Sequence, residues 1–178
     1  MKKIIFSILF VFLFFQNSFS QINKKIDIPE ALNYLNLFLN DVNPLVITTG
    51  KITYNNYAET LSYVSKTESQ DFAKIKESLN SSFSFNINDV ISIDEMILKS
   101  KDYNSSSLAY TFYLKNEVYR ENYTKIEGSI IKDYSSKKGS KVWFSTEKSL
   151  TENDVLNIKR TIRDIFKDIP VKTEIKNY

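Results

Sequence analysis

The chain of 178 residues contains no histidine and no cysteine. Histidine is the most common general base in enzymes, and its absence removes that option. The Ser-His and Cys-His catalytic pairs and ordinary zinc or iron sites are excluded for the same reason. Without cysteine, thiol catalysis, iron–sulfur ligation and disulfide bonds are excluded as well. We therefore expect a protein that is not an enzyme and holds no metal, with stability that comes from packing and hydrogen bonds alone.

Glycine is scarce, with three residues at Gly50, Gly128 and Gly139. The phosphate-binding loop and the dinucleotide-binding fingerprint each require several glycines at close spacing. Three isolated glycines cannot form either motif, so a nucleotide-dependent enzyme is excluded. No other feature of the sequence indicates a cofactor.

Arginine occurs only at Arg120, Arg160 and Arg163, although it is the preferred residue for bidentate phosphate recognition. The formal net charge of +3 depends largely on Lys2 and Lys3, and it falls to +1 when residues 1–20 are left out. This balance does not provide the basic patch of a nucleic-acid-binding protein. We expect no nucleic-acid partner.

The first twenty residues have the layout of a secretory signal peptide. Lys2 and Lys3 precede an apolar run over 4–15, and small residues two positions apart follow at Ser18 and Ser20. The run is shorter than the ~20 residues that span a bilayer, which disfavours the alternative of an uncleaved membrane anchor. We expect residues 1–20 to be a signal peptide and 21–178 to be exported to the periplasm or the cell exterior, with no membrane span after cleavage.

Three helices are predicted from apolar residues spaced three and four apart, over about 29–42, 68–80 and 151–169. The middle helix depends on Phe72, Ile75 and Leu79, preceded by a possible capping box at Thr67 and Gln70. The C-terminal helix is the clearest, because Thr151 with Asp154 three residues later is typical of a helix N-terminus.

Strands are predicted from alternating apolar and polar residues, most clearly over 108–115. The other predicted strands are 45–54 and 57–64 (joined by a turn at Asn55-Asn56), a strand around Ile91 and Ile93, 123–131, 141–146 and an edge strand over 171–176. Residues 135–140 are expected to be a loop, and a short helix remains an alternative for 57–65.

Separate helices around a run of strands are typical of the α+β class. We expect one domain over 21–178, in which an antiparallel sheet of about five to six strands is packed by an N-terminal helix, a middle helix and a long C-terminal helix.

Several weak motifs have simpler explanations. Ser135–Lys138 and Ser145–Lys148 match Ser-x-x-Lys, but the companion motifs of penicillin-interacting enzymes are missing. Glu117, Glu121, Glu127, Asp94 and Glu95 are the carboxylates that a glycosidase-like cleft would draw on, and surface ion pairs are the simpler interpretation. Asn86, Asn88 and Asp89 lack the ligand spacing of a calcium loop and are read as a turn.

The remaining candidate for function is a group of aromatic residues in the predicted strands: Tyr113, Tyr119, Tyr123 and Trp143. Aromatic residues with a polar tip are favoured at protein interfaces, although the strand preference of tyrosine also explains their presence. We expect an exported, non-enzymatic module that binds another protein through these residues, such as an accessory subunit or an immunity-type inhibitor. A carrier of an apolar ligand between the sheet and the C-terminal helix is the alternative, and a carboxylate-based hydrolase is a third.

Overall fold

The structure is a computed structural model that describes residues 27–42, 46–70, 76–100, 105–126 and 130–177. The predicted signal peptide, residues 1–20, lies outside these described residues. In chain order the elements are α1 (Ile28–Asn36), β1 (Asp41–Val42), β2 (Val46–Asn55), β3 (Thr60–Gln70), β4 (Lys76–Asn86), a 3-10 turn (Ile87–Asp89), β5 (Val90–Lys99), β6 (Ser106–Ile126), β7 (Ile130–Ser145), α2 (Glu152–Ile165) and β8 (Val171–Asn177).

The eight strands of the described residues form one mixed sheet. Strands β1 to β4 follow one another in antiparallel order, and β6 lies next to β4. The first half of β6 pairs with β5, which in turn pairs in parallel with β8. The opposite side of β6 pairs with β7. Strand β6 therefore connects two parts of the sheet, one containing β1–β4 and the other containing β5 and β8.

An irregularity divides the β6–β7 pair. Tyr113 lies opposite Lys141 and Val118 lies opposite Gly139, so four residues of β6, 114–117, face a single intervening residue of β7. Bulges of this kind bend a strand and increase its twist. The two halves of β6 therefore differ in orientation, and candidate aromatic residues on one half are separated from those on the other.

The core is aromatic and lies where the sheet faces the helices. Phe112 of β6 is fully buried, and its ring centroid lies 5.4 Å from Phe85, 5.7 Å from Phe144 and 5.3 Å from Phe166. The alternation predicted for β6 is confirmed, because Leu108, Tyr110, Phe112 and Leu114 are all buried. Burial of a large side chain contributes roughly 1.5–3 kcal/mol, so this cluster accounts for a large part of the stability.

The two helices cover this core and contact each other. Asp27 caps α1, where its side chain accepts from the backbone N–H of Glu30 at 3.4 Å. Helix α2 begins at the predicted capping box, in which Thr151 Oγ1 accepts from the Asp154 backbone N–H at 3.2 Å. The hydroxyl of Tyr34 donates to Asp154 Oδ1 at 3.2 Å and joins α1 to the start of α2.

The expected fold class is wrong. The chain combines helices with a sheet, but the described residues contain two helices rather than three and eight strands rather than five or six. The N-terminal helix ends at Asn36 instead of 42, because residues 41–42 pair with β2 as strand β1. The C-terminal helix covers Glu152–Ile165, so it is shorter than the long helix expected over 151–169.

The middle helix over 68–80 is absent from the described residues, which place its two ends in β3 and β4. These strands pair continuously from Thr60–Asn86 to Gln70–Lys76, with 71–75 outside the described residues. Leu79, which belonged to the proposed apolar face, is 54% exposed. Serine side chains compete for backbone hydrogen bonds and weaken the helix here, whereas pairing on both edges satisfies the backbone of β4.

Three further predictions concern the strands. The helix alternative for 57–65 is wrong. The antiparallel hairpin is confirmed, but its turn covers 56–59 rather than Asn55-Asn56, and β3 begins at Thr60 instead of 57. The predicted loop over 135–140 is wrong, because these residues lie inside the continuous strand β7. The C-terminal edge strand is confirmed as β8, although its parallel pairing with β5 makes the sheet mixed rather than antiparallel.

Candidate protein-binding surface on β6 and β7

All four candidate aromatic residues lie on β6 or β7. Tyr113 lies opposite Lys141, and Trp143 lies opposite Thr111, one alternate position further along the same pair of strands. Tyr119 lies beyond the bulge, opposite Lys138, and Tyr123 lies four residues beyond Tyr119. The structure thus brings Tyr113 and Trp143 close together in register and places Tyr119 and Tyr123 on the other half of β6.

Tyr113 is half-buried and has a structural contact. Its hydroxyl donates to Asp94 Oδ2 at 2.7 Å, and Lys141 Nζ lies 5.3 Å from its ring centroid. Together with Thr111 and Lys172 these residues line a pocket of about 160 Å³ on the sheet surface. The hydrogen bond fixes the ring against β5, so substitution of Tyr113 disturbs the sheet as well as the surface.

Trp143 is the most distinctive of the four residues. It is 45% exposed, and the guanidinium carbon of Arg120 lies 4.6 Å from its ring centroid. Arg120 Nε is buried and has no hydrogen-bond partner among the described residues. Desolvation lowers the pKa of Arg120 from its ordinary value, and the electrostatic interaction with Tyr63 raises it by a smaller amount. The contact with the indole ring is therefore a favourable electrostatic interaction available to a desolvated guanidinium.

Tyr119 lines an open groove on the other half of β6. It is 62% exposed, and Lys138 Nζ lies 6.0 Å from its ring centroid. The groove has a volume of about 420 Å³ and is also lined by Val64 and Glu121. Val64 is 55% exposed, so this groove carries apolar surface at the open side of the sheet. Tyr123 is half-buried and does not line the groove.

A shared feature links these positions. The rings of Tyr113, Tyr119 and Trp143 each have a cation over one face, and all six side chains lie on β6 and β7 within the span 113–143. We call this set the cation–aromatic surface; it comprises Tyr113, Tyr119, Arg120, Lys138, Lys141 and Trp143. It extends around the β6–β7 edge of the sheet, because Tyr119 and Arg120 are adjacent in β6 and point to opposite faces. The cations were not identified from the sequence, because the pairing of Arg120 with Trp143 depends on the bend at the bulge. The alternation of lysine with aromatic residues along β7 is the only sequence signal that points to them.

The predicted carboxylates do not form a catalytic pair. Glu95 is buried, and its carboxylate accepts hydrogen bonds from Tyr110 at 3.0 Å and Thr173 at 2.9 Å. Lys159 of α2 completes this arrangement, with Nζ 2.9 Å from Oε1. Burial and the adjacent charge of Glu95 raise the pKa of Tyr110. Asp94 is adjacent in the same strand and so faces the opposite side of the sheet.

Of the other carboxylates, Glu117 and Glu121 lie on the second half of β6, beyond the part that pairs with β5 and Glu95. Glu117 forms an exposed ion pair with Lys138 at 3.5 Å, and Glu127 lies outside the described residues. Burial, and secondly the charge of Asp41, raise the pKa of Glu147, but neither of these residues lines the pockets described here. No group of three or more metal-ligating side chains occurs in the described part of the chain.

The remaining motifs have structural explanations. Asn86 caps the 3-10 turn, where its side chain accepts from the backbone N–H of Asn88 at 2.9 Å, so the prediction of a turn is confirmed. Ser135 and Lys138 are exposed on β7 with no catalytic neighbour described, and Lys148 lies in the loop before α2, where its N–H donates to the backbone of Phe38. Neither Ser-x-x-Lys match has its required structural context.

The space between the sheet and α2 is filled. Ile158 and Ile162 of α2 are at most 1% exposed, and the Phe112–Phe166 contact lies beside them in the same core cluster. A surface groove of about 240 Å³ lies between α2 and β8, lined in part by Leu156 and Ile175. Buried ligands need enclosed cavities, so the described residues give little support to a carrier of apolar ligands.

Comparison with known proteins gives no match, whether against protein-family models, curated protein sequences or solved structures. Among the described helices, none has both the length and the apolar character needed to cross a membrane.

Proposed function

We propose that the chain is an exported, non-enzymatic protein-binding module and that the cation–aromatic surface contacts its partner. The observation that carries the proposal is the exposed Trp143 with Arg120 over its ring. Tryptophan, tyrosine and arginine are the residues that most often dominate the binding energy of protein interfaces. In this surface all three types lie on two paired strands.

The rigidity of the two strands supports the proposal. Ordering a flexible side chain on binding costs roughly 0.5–1.5 kcal/mol, and this reduces affinity. Trp143 and Tyr113 lie on paired strands, and the hydroxyl of Tyr113 is already fixed by Asp94. A partner that binds here meets aromatic groups that are ordered beforehand.

Export is the second part of the proposal. It is supported by the charged, apolar and small-residue segments of 1–20. The lack of histidine and cysteine and the separation of the carboxylates favour binding over catalysis. An accessory subunit of an envelope complex or an immunity-type inhibitor fits these features.

The proposal is tested by capturing partners with tagged variants made in the producing cells. Trp143→Ser is the test variant, and Ile175→Ser is the matched control, because Ile175 is a strand residue with 55% exposure compared with 45% for Trp143. We expect a partner that is recovered stoichiometrically with the wild type and with Ile175→Ser, and that is lost with Trp143→Ser. Circular dichroism confirms that each variant is folded.

Tyr119→Ser extends the test to the other half of β6. Tyr119 makes no described side-chain hydrogen bond, so its removal changes the surface with little effect on the fold. Reduced capture is expected. Equal recovery with the wild type, Trp143→Ser and Tyr119→Ser would contradict the proposal, because the partner would then bind elsewhere.

A further inference from the structure

Strand β7 has a long edge that no described strand covers. It extends over Ile130–Ser145 and, among the described residues, it pairs with β6 alone. Residues 135–138 and 140–141 are exposed, and Gly139 is half-buried. An uncovered edge presents unpaired N–H and C=O groups that can add a strand from another chain.

The stretch 135–141 carries lysines and no carboxylate, with Lys137, Lys138 and Lys141 as its charged residues. Glu117, 3.5 Å from Lys138, is exposed and neutralises that charge only in part. Lys141 also lines a pocket with Asp94 and Glu174, whereas Lys137 has no carboxylate described beside it. The edge is therefore complementary to a negatively charged segment.

The same charge disfavours a second copy of this chain as the occupant. Pairing of two β7 edges would place lysines near lysines, and like charges on facing strands are destabilising. Lysine on an edge is a known means of preventing association between identical sheets. An acidic segment would be attracted to these lysines instead of being repelled by them.

We propose that β7 binds an extended acidic segment of the partner protein by strand addition, with Trp143 as the apolar anchor at the end of the lysine stretch. The inference rests on the proposed function and names the partner's chemistry. Trp143 is two residues from Lys141, which is about 7 Å along a strand and points to the same face. A peptide strand that carries acidic residues at successive positions of one face, followed by an apolar residue on that same face, can therefore contact both Lys141 and the indole ring.

The test uses protein expressed from its full sequence and recovered in soluble form, and a display library of random twelve-residue peptides as the probe. We expect the enriched peptides to carry a net negative charge together with β-branched or aromatic residues. Binding of the most enriched synthetic peptide should protect backbone amides within 135–144 from hydrogen exchange, because these groups gain partners.

Two charge-reversal variants provide the matched comparison. Lys137, Lys138 and Lys141 are changed to Glu in one, and Lys51, Lys148 and Lys167, which are also exposed, are changed to Glu in the other. Both variants have the same net charge. We expect the first to weaken peptide binding by about tenfold or more and the second by less than about threefold, since only close charges couple strongly.

Several outcomes would overturn the inference: no enriched peptide, enriched peptides without acidic character, equal loss of affinity in both variants, or self-association of the protein. Amide protection confined to another strand or to a helix would also overturn it. If partner capture still depends on Trp143 while β7 amides stay unprotected, strand addition fails and the proposed function stands. If capture is independent of Trp143, the proposed function fails separately.

Discussion

Replacement of Lys159 by methionine is expected to destabilise the protein by leaving Glu95 without its cation. The Glu95 side chain is fully buried and that of Lys159 is 20% exposed. Loss of one partner from a buried ion pair typically costs 3–5 kcal/mol. Here the hydroxyls of Tyr110 and Thr173 continue to donate to the carboxylate, and water can reach the position of Lys159, so we expect about 2–4 kcal/mol.

A double-mutant cycle separates the ion pair from general loss of packing. Glu95→Gln removes the charge and keeps an oxygen that can accept from Tyr110. Because Lys159 can extend into solvent, this variant is expected to lose about 1–2 kcal/mol. The double variant Glu95→Gln/Lys159→Met should be more stable than Lys159→Met alone, since it has no uncompensated buried charge.

The free energy of unfolding is measured by urea denaturation followed by circular dichroism, with the same slope required for all variants. A loss of less than about 1 kcal/mol for Lys159→Met, well below the range for a broken buried pair, would refute the reasoning. A double variant no more stable than Lys159→Met would refute it equally, because the coupling would then be absent.

Two further predictions concern single positions. Gly50→Ala should lower the free energy of unfolding by roughly 1–3 kcal/mol, because the added Cβ would lie 2.8 Å from Leu39 O. Gly139→Ala is the control: its added Cβ would have no heavy atom within 4 Å, so it should be close to neutral in the same urea assay. Hydrogen bonds from Thr151 lower the pKa of Asp154 in the folded state. The ionised carboxylate therefore stabilises α2 at pH values above its unfolded-state pKa of about 3.9. This stabilisation is lost as the pH falls through the lower folded-state pKa. Asp154→Asn should weaken that acid dependence in a pH series of thermal unfolding, and an unchanged profile would contradict this assignment.

Local sequence patterns predicted the parts of the fold that are stabilised locally. The capping box at Thr151 and Asp154 is confirmed because both residues belong to one helical turn. The alternation over 108–115 is confirmed because one face of β6 is buried along that whole stretch.

The wrong predictions concern segments whose structure depends on distant partners. Residues 68–80 carry helical spacing, yet β3 and β4 are held by pairing with β2 and β6. Residues 135–140 have the composition of a loop, but their pairing with β6 extends β7 through them. Neither interaction is visible in a short sequence window.

The candidate site was predictable in composition and not in arrangement. The preference of aromatic residues for interfaces predicts Tyr113, Tyr119 and Trp143 as site residues, and the structure places a cation over each ring. Arg120 was missed, because it is 23 residues from Trp143 in sequence and the sheet bend brings them together. The partners of the buried Glu95 come from three different elements and were equally inaccessible to sequence reasoning.

Site-specific photocrosslinking in the producing cells tests the proposed binding surface most directly. A benzophenone amino acid is placed at position 143 in one strain and at position 175 in another, both on exposed strand positions. If the cation–aromatic surface binds a protein, illumination should give one discrete protein adduct from position 143 and none from position 175. An adduct from position 175 alone, or no adduct from position 143, would contradict the proposed function.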